Sequence, residues 1–244
     1  MMRLLDISFD APEMNLALDE VLLDSADHEQ NPVSTLRFWE SPVPFIVLGT
    51  GQVLAQEVYM EHCEQDGMPI RRRCSAGGCV LQGPGSLNYS LALVCDEYPE
   101  VRQLRASYCY ILHKLSDAFM EFGLEVQHLG ISDMVFGAKK VSGNAQRRRR
   151  RAILHHGTLL YQVDYHAMTR YLREPADRPE YRGCRTHQDF VTELPLDEIK
   201  LRKVVQSAFS VDTIMASPPT PSEINAAEQL AVEKYASLDW IHRR

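Results

Sequence analysis

The chain has 244 residues, of which 45% are hydrophobic and 24% charged, and its net charge is -7. This composition is ordinary for a globular protein with a buried core, and the acidic balance argues against a nucleic-acid binder. The N-terminus lacks the apolar stretch of a signal peptide, and no run reaches the ~18 apolar residues that span a bilayer. We therefore expect a soluble, cytoplasmic protein that needs neither nucleic acid nor membrane.

The predicted elements begin with a helix. Asp10-Ala-Pro-Glu13 combines a capping residue, a proline in the first turn and a later glutamate, and it predicts a helix to about residue 24. Apolar residues at three- and four-residue steps predict a second helix over 104–122, which Gly123 ends. Further helices are predicted over 165–172, 196–209 and 222–240. Strands are predicted over 36–39, 44–48, 124–127, 134–136, 139–142 and 154–161.

The predicted strands and helices do not alternate strictly as βαβ units. The predicted fold is therefore α/β of the α+β kind, with a mixed sheet flanked by helices. The six cysteines form no CxxC pair and match no zinc spacing, so we expect free thiols and no metal site.

One segment, residues 72–90, is unusually rich in glycine. Gly77, Gly78, Gly83 and Gly85 fall close together, which lets a backbone approach a ligand and turn its N–H groups toward an anion. Two arginines precede the glycines and could bind a phosphate or carboxylate, and Ser75, Asn88 and Ser90 add neutral donors. The segment matches no known phosphate-loop motif, so glycine content alone favours a surface loop.

A second segment covers residues 139–160. Lys140 and Ser142 are expected to share one face of a strand, because strand side chains alternate. A lysine beside a glycine loop suits a phosphate or adenylate. The five arginines over 147–151 are interpreted as an exposed hairpin tip, and His155-His156 alone would be polar residues of a strand.

Together the motifs resemble the lipoate–protein ligase A family, which is related to biotin ligases and octanoyltransferases. In order they are N-L-A-L-D-E, L-R-F-W, V-L-G-T-G-Q, R-R-x-S-x-G-G-x-V-x(6)-L-N-Y-S, D-x-V-x-G-x-K-K-V-S-G-N-A-Q and H-H-G-T-L-L. The resemblance covers about Asn15 to Leu160, and more loosely the C-terminal part. It implies one catalytic domain over residues 1–244, without the C-terminal accessory domain of longer ligases.

The resemblance also implies an activity. Lipoate or octanoate would react with ATP, accompanied by Mg²⁺, and the acyl-adenylate would acylate a lysine of a lipoyl carrier domain. Lys140 would be the catalytic lysine, and the acyl tail would lie in an apolar tunnel. The residues expected to bind the adenylate or acyl group are Arg72, Arg73, Ser75, Gly77, Gly78, Asn88, Asp133, Ser142, Gly143, Asn144, Ala145, His156, Gly157 and Thr158.

The expected carriers are the H-protein, the acyltransferase subunit of a 2-oxoacid dehydrogenase or a lipoate-binding protein, and a separate accessory subunit is plausible. Two places depart from the family pattern: S-G-G-G is Ser75-Ala-Gly-Gly78, and the usual H-D is Gln82-Gly83. Family roles are not transferred to the altered positions.

Other activities fit parts of the pattern. The nearest is an octanoyltransferase that uses a cysteine and the same lysine through a thioester, without ATP. Its candidate nucleophiles are Cys74, Cys79 and Cys184. A non-catalytic module that binds an adenylate or acyl group is a second alternative, whereas biotin ligation is disfavoured because the G-R-G-R-x-G-R-x-W loop is absent.

Overall fold

The computed structural model describes residues 2–28, 30, 32–209 and 215–243. The strands are β1 (Arg3–Asp6), β2 (Thr35–Trp39), β3 (Phe45–Leu48), β4 (Ile70–Arg72), β5 (Val80–Gln82), β6 (Ser86–Val94), β7 (Val126–Leu129), β8 (Asp133–Phe136), β9 (Lys139–Arg148), β10 (Ala152–Leu160) and β11 (Met215–Ala216). The α-helices are α1 (Pro12–His28), α2 (Leu54–Glu57), α3 (Met60–Asp66), α4 (Leu104–Glu121), α5 (Tyr165–Tyr171), α6 (His187–Phe190), α7 (Glu198–Ala208), α8 (Pro221–Leu230) and α9 (Leu238–Ile241). Two 3₁₀ turns (Pro99–Arg102 and Glu180–Arg182) and a π-helical turn (Ala231–Tyr235) lie between them.

The strands form two mixed sheets. Eight of them follow the order β11-β1-β2-β6-β10-β9-β8-β7, and three form a smaller sheet in the order β4-β3-β5. In the large sheet β1 runs parallel to both neighbours, whereas the remaining pairs are antiparallel. Helices cover both faces of this sheet, so the predicted fold class is confirmed.

Strand β6 shows how the core is divided between the two faces. Leu91 and Leu93 pack with α4 residues such as Ile111 in one cluster, while Ala92 and Val94 join the cluster around α1. All nine residues of β6 are buried, because helices cover both of its sides. Such a strand lacks the alternation of polar and apolar residues that marks a half-exposed strand.

Most predicted elements are confirmed, whereas β1, β4, β11, α2, α3 and α6 were not predicted and some bounds differ. The glycine-rich segment is not a loop throughout, because its second half forms β5 and β6. Strand β9 continues past the predicted end at residue 142 as far as Arg148. The first helix continues to His28, and the last predicted helix is interrupted by the π-helical turn before α9. No helix among the described residues is long and apolar enough to cross a membrane.

The second part of the arginine run, Arg149–Arg151, forms the turn between β9 and β10, as predicted, whereas Arg147 and Arg148 belong to β9. Arg150 is exposed, whereas Arg149 forms ion pairs with Asp24 at 2.7 Å and Glu20 at 3.4 Å. These contacts attach the hairpin tip to α1, so part of the run has a structural role.

Candidate active site

A cavity of about 140 Å³ lies between the glycine-rich turn and the strands β9 and β10. We call residues 76–79 the glycine turn. The wall of the cavity is formed by Leu16, Trp39, Val47, Arg73, Gly77, Gly78, Cys79, Val80, Gln82, Asn88, Ser132, Asp133, Lys140, Gly143, Asn144, Ala145, His156, Gly157 and Thr158. It includes every predicted site residue except Arg72, Ser75 and Ser142. Lys140 and the glycine turn thus face the same cavity, as the family resemblance requires.

Lys140 is held on the cavity wall by an acidic partner. Its Nζ lies 2.7 Å from Asp133 Oδ1, and the hydroxyl of Tyr181 donates to Asp133 Oδ2 at 2.7 Å. Burial raises the pKa of Tyr181, so its phenol remains protonated and keeps donating near neutral pH. A Cβ at Gly143 would come within 2.9 Å of the lysine Nζ, so the glycine provides room for this side chain.

The expectation that Lys140 and Ser142 share a face is wrong. The pairing of β8 with β9 shifts register between Met134 and Val135, and Lys140 consequently lies over Gly143. Such a bulge redirects side chains by breaking the strict alternation of a strand. Ser142 is fully buried and lies outside the cavity wall, which does not support its predicted contact with a nucleotide.

Arg73 places a second cation on the cavity wall. Its Nη2 donates to the carbonyls of Ala76 at 2.7 Å and Gly78 at 2.9 Å, and its Nε donates to Ser75 Oγ at 2.9 Å. It forms no ion pair with a carboxylate in the described parts of the chain. Burial lowers the pKa of Arg73, which reflects the cost of a cation without a negative partner.

Arg72 points away from the cavity, because neighbouring residues of a strand face opposite sides. Its guanidinium is fully buried and donates to the carbonyls of Gly49, Gln52, Trp240 and Ile241. Arg72 therefore fastens the C-terminal segment to β4. This position does not support the predicted contact with an adenylate.

Three neutral side chains on the wall form a closed ring of hydrogen bonds. Asn88 Nδ2 donates to Gln82 Oε1 at 2.9 Å, Gln82 Nε2 donates to Thr158 Oγ1 at 2.8 Å, and Thr158 Oγ1 donates to Asn88 Oδ1 at 2.8 Å. Gln82, which departs from the family pattern, is thus part of the wall although the sequence assigned it no role.

Asn144 is positioned by its neighbours. Its Nδ2 donates to the Ser132 carbonyl at 2.8 Å, and its Oδ1 accepts from the Tyr89 hydroxyl. A Cβ at Gly157 would lie 1.9 Å from this Oδ1, so only glycine leaves space for the amide.

The two histidines of β10 have different surroundings. His155 is fully buried beside Tyr89 and Gln146, and burial lowers its pKa to about 3, so it is neutral. His156 reaches the cavity wall, and its Nε2 lies 2.6 Å from Ser75 Oγ. Its Nδ1 lies 3.5 Å from Asp19 Oδ2 on α1. Ser75 therefore contacts the wall through Arg73 and His156 and is not itself part of it.

Part of the cavity wall is apolar. Leu16, Trp39, Val47 and Val80 come from α1, β2, β3 and β5, and they provide a surface suited to a hydrocarbon chain. The sequence predicted a tunnel for an acyl tail but did not assign these residues to it. Three- and four-residue steps place Leu16 on the same face of α1 as Asp19, which was the available signal.

The thiols near the cavity are poorly suited to nucleophilic attack. Burial raises the pKa of Cys74 to about 12, and it also raises the pKa of Cys79, which lines the cavity. Both are therefore protonated near neutral pH, whereas the thiolate is the reactive form. Cys184 is exposed and lies outside the cavity wall.

Gly49 supports the glycine turn from outside. A Cβ at position 49 would lie 2.0 Å from the carbonyl oxygen of Gly77, whereas one at Gly51 would meet nothing within 4 Å. We expect Gly49→Ala to displace the turn and weaken binding of an acyl-adenylate analogue roughly 10- to 100-fold. Gly51→Ala should leave binding unchanged in the same calorimetric titration. Equal affinities for the two variants would contradict this support.

The sequence has relatives of two kinds. It is 25% identical over 245 residues to the lipoate-protein ligase LplJ of Bacillus subtilis, a match that covers 96% of this chain and 71% of the relative. It is also 25% identical over 268 residues to the octanoyltransferase LipM of Brevibacillus brevis, with 96% of each chain covered.

Solved structures of lipoate ligases share the fold. The bipartite lipoate protein ligase of Thermoplasma acidophilum gives a TM-score of 0.85 at 21% identity and covers 98% of this chain and 95% of its own. A lipoate-protein ligase A bound with ATP gives 0.84 at 22% identity, with 98% of both chains covered.

The family model for the lipoyl protein ligase A/B catalytic domain matches residues 11–211, which include every residue of the cavity wall. The chain therefore belongs to the lipoyl protein ligase A/B family of enzymes.

Proposed function

We propose that this chain is a lipoate–protein ligase. It activates lipoate or octanoate with ATP and transfers the acyl group from the acyl-adenylate to a lysine of a lipoyl carrier domain. The observation that carries the proposal is the cavity itself, whose wall combines apolar side chains with Arg73, a buried cation that has no carboxylate partner among the described residues. Because an unpaired buried charge is costly, the site favours a ligand that brings an anion together with an apolar tail.

The residues of the cavity wall suit both formation of the acyl-adenylate and transfer of the acyl group. When the carrier amine attacks the acyl carbonyl, negative charge grows on the carbonyl oxygen and on the departing phosphate. Lys140 and the N–H groups of the glycine turn would stabilise that charge. Gly143, Asn144 and Ala145 would lie on the nucleotide side, and Gly157 and Thr158 on the acyl side.

ATP would bring the Mg²⁺ on its own phosphates. Asp133 is the acidic side chain of the cavity wall, and both of its oxygens already hold Lys140 and Tyr181. A Mg²⁺ ion whose ligands are mostly phosphate oxygens and water molecules fits this arrangement. Asp133 would then serve mainly to orient the lysine.

The partners are also part of the proposal. The similar ligase of Thermoplasma acidophilum is bipartite and has an E2 lipoyl domain, which supports a lipoyl domain as acceptor and a second subunit as partner. We treat residues 1–244 as one catalytic domain, since β11 near the C-terminus pairs with β1 in the same sheet.

The second candidate is transfer of octanoyl from a carrier thioester without ATP, which the LipM relative favours. That reaction needs a reactive thiolate, and the raised pKa values of Cys74 and Cys79 speak against both thiols of the turn. Cys184 is exposed and lies outside the cavity wall.

The deciding experiment compares two acyl donors. The wild-type chain and a variant with all six cysteines replaced by serine or alanine are mixed with a lipoyl domain, with and without a candidate accessory subunit. One reaction contains lipoate and Mg-ATP, and the other contains octanoyl-acyl carrier protein. We expect both proteins to modify the domain only with ATP, as read by its mass. Modification from the thioester that disappears without cysteines would instead establish the transferase.

A further inference from the structure

A row of buried polar side chains connects α1 and β2 to the glycine turn. Arg37 Nη1 lies 2.6 Å from Asp19 Oδ1, and Asp19 Oδ2 lies 3.5 Å from His156 Nδ1. His156 Nε2 is 2.6 Å from Ser75 Oγ, which accepts from Arg73 Nε at 2.9 Å. Arg37, Asp19 and Ser75 are at most 1% exposed.

The chemistry of the row determines where its protons lie. Burial raises the pKa of Asp19, but Arg37 and His156 outweigh burial and leave the pKa below its ordinary value. Asp19 is therefore a carboxylate, which can only accept, so a neutral His156 carries its hydrogen on Nδ1. Its Nε2 then accepts a hydrogen bond from the Ser75 hydroxyl, and the lone pairs of the Ser75 oxygen remain available to accept one from Arg73.

We propose that Asp19 and His156 are positioning residues that orient Arg73 and the glycine turn toward the anionic group of the substrate. The inference rests on the proposed function. Because Nη2 of Arg73 binds the carbonyls of both Ala76 and Gly78, a change in the direction of its Nε also moves the turn. His156 forms part of the cavity wall, so the same imidazole that fixes the turn also touches the bound ligand.

The order Asp–His–Ser is also that of hydrolases with a nucleophilic serine, but the contacts of Ser75 favour orientation. Its hydroxyl is fully buried and outside the cavity wall, and Arg73 occupies one of its lone pairs. A nucleophile must instead reach the acyl carbon. An acyl group found on Ser75 by mass spectrometry would overturn the positioning role.

The first test separates hydrogen bonding from packing. Ser75→Ala and His156→Leu remove the contact, whereas His156→Gln supplies an amide oxygen that can accept the serine hydroxyl. Titration with a non-hydrolysable acyl-sulfamoyl adenosine should show about tenfold weaker binding for the first two variants. His156→Gln should remain within about threefold of the wild type.

A buried serine elsewhere provides the matched control. Ser107 Oγ lies 2.7 Å from the Leu104 carbonyl oxygen and 2.9 Å from Gln146 Oε1, away from the cavity wall, and its one hydrogen can serve either acceptor. Ser107→Ala should lower the thermal midpoint without changing the affinity for the analogue. If a folded His156→Gln binds as weakly as His156→Leu, the proposed positioning role is wrong.

The second test reads the tautomer of His156 directly. Proton–nitrogen correlation spectra near pH 8.5, where an ordinary histidine is neutral, should show hydrogen on Nδ1 in the wild type. In Asp19→Asn the new amide can donate to Nδ1, so the hydrogen should move to Nε2. A wild-type hydrogen on Nε2 would overturn the inference even if the analogue binds. Failure of the wild type to bind the analogue would instead count against the ligase proposal.

Discussion

Replacing Lys140 by methionine is expected to lower the rate of both adenylate formation and transfer by about 10²- to 10³-fold. The change keeps a long flexible side chain but removes the charge from the cavity wall that Lys140 shares with the glycine turn. That charge is useful mainly where negative charge develops, so kcat should fall far more than the affinity for lipoate. Single-turnover measurements with preformed lipoyl-adenylate separate the transfer step from activation.

The chain offers a matched control at the preceding position. Lys139 is exposed and lies outside the cavity wall, so Lys139→Met should leave both rates within about twofold of the wild type. Lys140→Arg should not restore activity, because the space over Gly143 and the Asp133 carboxylate are fitted to a slender amine. Retention of more than a tenth of the activity by Lys140→Met would remove the lysine from the mechanism.

Local patterns predicted much of the fold but not β6. The apolar steps of α4 and the capping residues before α1 are local signals, and both helices lie where these signals placed them. Strand β6 is covered on both faces and follows a run of glycines, so it carries neither alternation nor a clear start. Its existence depends on pairing with β2 and β10, which are distant in the sequence.

The candidate site shows the same division between local and distant information. Motifs within short segments named Arg73, Lys140 and His156 correctly as members of one cavity wall. They could not choose between Arg72 and Arg73, because only the register of β4 decides which arginine faces the cavity. Trp39 lines the cavity, and Asp19 and Tyr181 contact residues that line it. The three come from separate elements, and no spacing in the sequence connects them.

The second large effect concerns stability and the buried pair of Asp19 and Arg37. We expect Asp19→Ala to lower the free energy of unfolding by about 3–5 kcal/mol, because it leaves the fully buried Arg37 guanidinium without its counter-charge. Arg37 would retain the Asn15 side chain and carbonyl as hydrogen-bond acceptors, but neither carries the negative charge that Asp19 supplies. Urea denaturation at pH 7 measures the loss.

The double variant Asp19→Leu/Arg37→Leu shows whether the loss comes from charge or from contacts. Because apolar replacements of a buried ion pair are often neutral, it should regain most of the stability lost by Asp19→Ala. It should not regain affinity for the acyl-adenylate analogue, since His156 would still lack its carboxylate. A double variant as unstable as Asp19→Ala would show that the contacts, and not the unpaired charge, determine the loss.

The pH dependence of stability follows from the same pair. The pKa of Asp19 is lower in the folded chain than its ordinary value, so the pair stabilises the protein fully above about pH 4. Below that pH the unfolded chain binds the proton first, and the contribution disappears as the pH falls through the lower folded value. The wild type should therefore lose its advantage over Asp19→Ala progressively over the range below about pH 4, as read by urea midpoints. An advantage that stays constant over this range would show that Asp19 is not the group that titrates.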